Sequence, residues 1–113
     1  MLERIAEIAS LEQFDKEVLR ANKPVVVTSC ADWCGDCRRL CPHIAEMAEE
    51  YAGGIRFLRV EDSHRDIEAE YGVHLIPDVM VFVGGKLISR WINVTEASAY
   101  RPTLERILAR RPL

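Results

Sequence analysis

The run Val25-Val26-Val27-Thr28-Ser29-Cys30 leads through Ala31-Asp32-Trp33 into Cys34-Gly35-Asp36-Cys37, and from there into a helical pattern. A continuous apolar, β-branched run is what a central strand buried on both faces requires. Such a strand needs a sheet around it and a layer of structure over each face. All four cysteines of the chain lie between positions 30 and 41, and two form a Cys-x-x-Cys pair directly after a tryptophan. The spacing therefore predicts a thiol pair at a strand-to-helix turn.

The helix after the turn is predicted from about Cys34 to Tyr51, with Leu40, Ile44, Met47, Ala48 and Tyr51 on one face and Gly53-Gly54 ending it. Pro42 lies inside it, removes one backbone hydrogen bond and is expected to kink it. Upstream, Leu2, Ile5 and Ile8 suit a helix by spacing, while Ile5–Ile8 equally suits a short edge strand. Ser10 and Gln13 form a capping box that opens a helix over residues 11–21, which Asn22-Lys23-Pro24 stops. Downstream, residues 55–60 read as a strand, and Ser63 as the cap of a short helix over 64–71 closed by Gly72. Residues 79–83 and 86–92 read as a hairpin turning at Gly84-Gly85. A last amphipathic helix carries Leu104, Ile107 and Leu108, with Pro102 in its first turn. Strand–helix–strand implies a parallel pair, and the hairpin adds antiparallel strands. The predicted class is α/β: a mixed central sheet of four to five strands with helices on both faces.

With 113 residues the chain is the length of one domain, read here as a single unit over 1–113. A net charge of −3 with dispersed arginines argues against nucleic-acid binding. No run approaches the length of a membrane span. The acidic residues Glu3 and Glu7 near Met1 are unlike a secretory leader, so a cytoplasmic setting is expected, in which clustered cysteines point to redox or metal chemistry rather than structural disulfides.

A helix start presents unpaired N–H groups and a partial positive charge, which favours a thiolate at Cys34. Cys37, one turn on, is placed to attack a mixed disulfide formed on Cys34. The pair thus supplies a nucleophile and a resolving thiol, and closes into a redox disulfide. Gly35 leaves the approach open, and Trp33 offers an apolar edge to an incoming chain.

These residues resemble the thioredoxin family over about Ser10 to Leu108. The resemblance is carried by Val25–Val27, Ala31-Asp32-Trp33-Cys34-Gly35-x-Cys37, Pro42, Tyr71-Gly72-Val73, Ile76-Pro77 and Gly84-Gly85. It implies a thioredoxin fold and reduction of protein disulfides, with no bound cofactor, by a monomer that a flavoprotein thioredoxin reductase recharges. It also implies a cis Ile76–Pro77 bond beside the thiols, with the Ile76 backbone pairing with substrate. Trp33, Gly35, Asp36, Ile76, Pro77 and Asn93 are the substrate-binding candidates.

Several positions depart from the family pattern. Asp36 stands where proline is common between the cysteines; its carboxylate opposes the helix-start effect, and similar Trp-Cys-x-Asp-Cys sites occur in thioredoxin-related proteins of narrower substrate range. Thr28 replaces a buried aspartate that helps deprotonate the second cysteine, and Arg59 replaces that aspartate's lysine partner, so slower resolution by Cys37 is expected. Ser29 and Cys30 replace an aromatic pair, Asn93 a glycine, and Val94 to Tyr100 reads as a lengthened loop. Three other functions remain open on the sequence: a disulfide oxidant or isomerase, a binding module that has lost turnover, and a metal or cluster site using Cys30, Cys34, Cys37 and Cys41. Cys30 and Cys41 otherwise read as buried apolar cysteines or as a second thiol pair.

Overall fold

The computed structural model describes residues 5–61 and 63–110. Five strands form one sheet in the order β1-β3-β2-β4-β5: β1 (Ile5–Ile8), β2 (Val25–Cys30), β3 (Arg56–Glu61), β4 (Asp78–Val83) and β5 (Lys86–Ile92). β1 and β2 flank β3 in parallel, while β4 runs antiparallel to both β2 and β5. Every residue of β2 is buried, as its apolar run predicts. The ambiguous segment Ile5–Ile8 is the edge strand, in register with Phe57–Val60; Leu2 lies outside the described residues.

Alternation along the strands sorts their side chains into two cores. Val26, Phe57, Val79 and Val81 pack with Leu40, Ile44 and Met47 of α2 (Gly35–Glu50) and with Tyr100 and Leu104 of α4 (Ala97–Ala109). Val25, Val27, Leu58, Val60, Met80 and Phe82 pack on the other side with Phe14, Val18 and Ile67. Phe14 ends α1 (Leu11–Phe14), Val18 lies in the π-helical turn Asp15–Leu19 that continues it, and Ile67 belongs to α3 (Arg65–Tyr71). The sheet is therefore covered on both faces.

Local details depart from the sequence reading at three places. The Ser10 hydroxyl accepts from Gln13 N–H at 3.0 Å as a cap should, but the Gln13 side chain accepts from Ala9 N–H, and regular α-helix gives way to the π turn after Phe14. Ser63 does not cap α3; His64 holds that position without a side-chain cap bond. α4 begins at Ala97, so Pro102 lies inside the helix rather than in its first turn, and most of the apparent extra loop is helix. Trp91 packs on Tyr100 with ring centroids 4.7 Å apart and tilted by 54°, and the Tyr100 hydroxyl donates to Val94 O, which fixes this early start against the sheet.

The β4–β5 turn uses Gly84 and Gly85 at φ 59° and 81°. At Gly85 a Cβ would also lie 2.8 Å from the Leu19 carbonyl oxygen. Gly85→Ala is expected to destabilise the fold by at least about 1–2 kcal/mol from the left-handed backbone alone, read as a lower urea midpoint at unchanged m-value.

Candidate active site

β2 delivers the chain to its end at Cys30. Ala31–Trp33 then turn, and the Cys34 N–H donates to Ala31 O at 3.2 Å. Cys34 is the N-cap of α2 with extended φ −88° and ψ 117°, and its sulfur accepts the Cys37 N–H at 3.2 Å. A sulfur thus occupies the place a serine or aspartate oxygen takes at most helix starts. The Cys34 thiol also faces the Ile76 carbonyl oxygen at 3.9 Å. Cys34 is 8% exposed and Cys37 1%, so both are buried and Cys34 lies nearer the surface. Burial, together with its hydrogen bond to Cys34, pushes Cys37 up to about 12, so this thiol keeps its proton at neutral pH.

The residues proposed from the sequence converge here. The Ile76–Pro77 peptide is cis, and Ile76 packs against the cluster of Cys30, Ala31, Cys34 and Cys37. Asn93 donates its N–H to Pro77 O at 2.7 Å and takes φ 60°, the left-handed conformation that explains why glycine suits this position and asparagine is tolerated. Trp33 is 71% exposed beside the thiols. Asp36 stands in the first turn of α2 and pairs with Arg39, a contact that draws its carboxylate toward the helix flank. His43 faces Glu46 one turn on along α2 at 3.9 Å.

Two features of this region are not visible as sequence motifs. Leu75, 63% exposed, extends the apolar rim before Ile76. Asp78, fully buried, is held by Arg90 through bonds of 2.6–3.2 Å, and Arg90 also donates to Gly72 O. This pair ties β5 to both ends of the segment that carries Ile76-Pro77. Only a pairing register, which sequence spacing does not supply, brings Arg90 to Asp78.

Thr28 and Arg59 are cross-strand neighbours, as the positions of the family's aspartate and lysine imply. Thr28 is 3% exposed and its hydroxyl has no partner within the protein. Arg59 instead pairs with Asp32 at 3.1 Å and Glu61 at 2.7 Å. No carboxylate on β2 stands behind Cys37. All four cysteines are free thiols, and Cys41 packs against the cluster that contains Cys30. The interaction between these two thiols, with Arg59 nearby, lowers Cys41 to about 6, while the same interaction and burial raise Cys30. Among the described residues no three His, Cys, Asp or Glu side chains are placed to hold a metal ion.

A sequence model of thioredoxin matches residues 6–106. The thioredoxin of Pyropia yezoensis is 36% identical over 97 residues, covering 85% of this chain and 91% of that protein. Thioredoxin 1 of a Nostoc species is 34% identical over 96 residues, covering 84% and 90%. The chain belongs to the thioredoxin family. A crystal structure of Malassezia sympodialis thioredoxin superposes with a TM-score of 0.81 at 23% identity, covering 90% of this chain and 89% of that one, which gives the fold. Family membership makes the protein a thiol–disulfide oxidoreductase acting on disulfide-containing substrates. No helix among the described residues is long and apolar enough to cross a membrane.

Two measurements follow from this geometry. Arg90→Met strands the buried Asp78 carboxylate, and breaking such a pair is expected to cost about 3 kcal/mol in chemical denaturation; a loss below about 0.5 kcal/mol contradicts the bracing role. In a Cys34→Ser/Cys37→Ser background, iodoacetamide should label Cys41 slowly below pH 6 and at a plateau above it. Cys41 is a thiol below its lowered value and a nucleophilic thiolate above it.

Proposed function

We propose that the protein reduces protein disulfides through Cys34 as nucleophile and Cys37 as resolving thiol, within one domain spanning 1–113. The observation that carries this reading is the Cys34 sulfur at the start of α2, held by the Cys37 N–H at 3.2 Å, with Cys34 the more exposed of the two cysteines and Cys37 fully buried. A substrate strand laid beside Ile76 would bring its disulfide to Cys34. Trp33, Leu75 and Ile76 offer apolar contact, Gly35 leaves the approach clear, and Asp36, Pro77 and Asn93 frame it.

Cys34 attacks one substrate sulfur, the substrate S–S bond breaks, and a mixed disulfide forms. Cys37 gives up its proton and attacks the Cys34 sulfur, releasing the second substrate thiolate and leaving Cys34–Cys37 oxidised. An external reductant then restores the dithiol, and a flavoprotein thioredoxin reductase fits that role. The buried Cys37 proton must leave without a carboxylate at position 28, so resolution is the slow step. We further infer a monomer working in the cytoplasm, where a reducing pool keeps the dithiol charged.

Cys34→Ser is expected to abolish reduction of a protein disulfide by this chain with dithiothreitol as the electron source; unchanged turnover contradicts the assignment. The potential sets the direction of the reaction. A value near the about −270 mV of thioredoxin itself supports reduction, whereas one near about −120 to −180 mV places the protein among oxidants and isomerases. Thr28→Asp, which restores a buried acid on β2, is expected to speed breakdown of the mixed disulfide while leaving its formation unchanged, as read in single-turnover kinetics.

A further inference from the structure

A cavity of about 160 Å³ opens between β2, β3 and α2. Its chemical wall is Thr28, Cys30, Cys41 and Arg59, its apolar wall is Ile5 and Ile44, and the exposed Glu7 lies at its edge. The exchange mechanism uses none of these groups. Two of them are also unsatisfied: the Thr28 hydroxyl and the Arg59 Nε are buried without a hydrogen-bond partner in the protein. Buried polar groups are normally paired, and an unpaired one marks a place where a ligand or water completes the set. Two thiols share this space and pack in one cluster, one buried at the end of β2 and one half-buried on α2.

We propose that this cavity is a second redox site, in which Cys41 reduces a small hydroperoxide and Cys30 then closes onto it as a Cys30–Cys41 disulfide. The volume limits the substrate to a few heavy atoms, since each water in the liquid occupies about 30 Å³. A peptide disulfide does not fit, whereas hydrogen peroxide or a short alkyl hydroperoxide does. Its oxygens accept hydrogen bonds, and the Arg59 guanidinium on the cavity wall is a donor. Asp32 and Glu61 both accept from Arg59 Nη2.

In the first step the Cys41 thiolate attacks the terminal peroxide oxygen. An S–O bond forms, the O–O bond breaks, and the departing oxygen takes a proton and leaves as water or an alcohol. Cys41 is then a sulfenic acid. In the second step Cys30 sulfur attacks Cys41 sulfur, the S–O bond breaks, and the hydroxide leaves with the Cys30 proton as water. One dithiol and one hydroperoxide give one disulfide, one alcohol or water, and one further water. The protonation pattern suits these roles: Cys41 lowered to about 6 is a thiolate at neutral pH, and the raised Cys30 keeps the proton it must deliver.

The test uses Cys34→Ser/Cys37→Ser protein, reduced and desalted, with one equivalent of hydrogen peroxide at pH 7. Because the proposed exchange thiols are absent, the result is independent of their assignment. Both remaining thiols should disappear and a peptide map should show the Cys30–Cys41 cross-link. Adding Cys30→Ser should halt the reaction at a Cys41 sulfenic acid that dimedone traps. Arg59→Met, with folding checked by circular dichroism, should slow the peroxide step roughly tenfold, as loss of one charge-assisted hydrogen bond predicts. The same map on the wild-type chain reads the cross-link without any substitution. Thiols that survive one equivalent of peroxide, a reaction no faster than in the denatured chain, or a map lacking the Cys30–Cys41 peptide would overturn the proposal.

Discussion

The site depends on one hydrogen bond, from the Cys37 N–H to the Cys34 sulfur at 3.2 Å. It makes Cys34 the cap of α2, so the sulfur proposed as nucleophile and the helix start are one construction. The cap fixes where the helix begins and so places Cys37 one turn behind Cys34. It also directs the unpaired N–H groups of the first turn toward the sulfur that receives negative charge. Two cores hold the helix and β2 in this relation. α2 lies on Val26, Phe57, Val79 and Val81, and the opposite face is closed by Phe14, Val18 and Ile67. Because β2 is buried throughout, the loop that follows it starts from a fixed point.

Against this frame, the groups around the thiols differ from the family pattern in a consistent way. Thr28 removes the acid behind Cys37, and Arg59, no longer facing a carboxylate on β2, turns to Asp32 and Glu61. The space beside them is lined by Cys30 and Cys41. Loss of the buried acid and gain of a second thiol pair thus occur in one cavity. In the proposed mechanism the first slows proton removal from Cys37, and the second places a thiol pair on the wall of the same cavity. Arg90 and Asp78 act farther out, holding the Ile76-Pro77 segment against β5.

Where one residue type decides local structure, the sequence was enough. The β2 run, the cysteine pair opening α2, Gly72 at φ 67° ending α3 and the two-glycine hairpin all read directly. Tertiary packing decided the rest. Ile5–Ile8 fits two periods equally and becomes a strand because β3 has a free edge. α4 starts early because Tyr100 docks on Trp91, although neither Glu96 nor its neighbours give a capping signal and Pro102 suggests a later start. The Asp78–Arg90 pair and the cavity arise from register between distant strands, which composition and spacing do not encode. The candidate site was legible to the extent that it is local: Cys34, Cys37 and Trp33 are adjacent in sequence, while Leu75 showed itself only through its exposure.

The central claim is that Cys34 receives the substrate and Cys37 releases it. Intact-mass and peptide analysis of Cys37→Ser protein, incubated with a peptide disulfide, tests it most directly. The account predicts one stable covalent adduct, located on Cys34 and released by dithiothreitol. An adduct located on Cys41, or none at all, would contradict it.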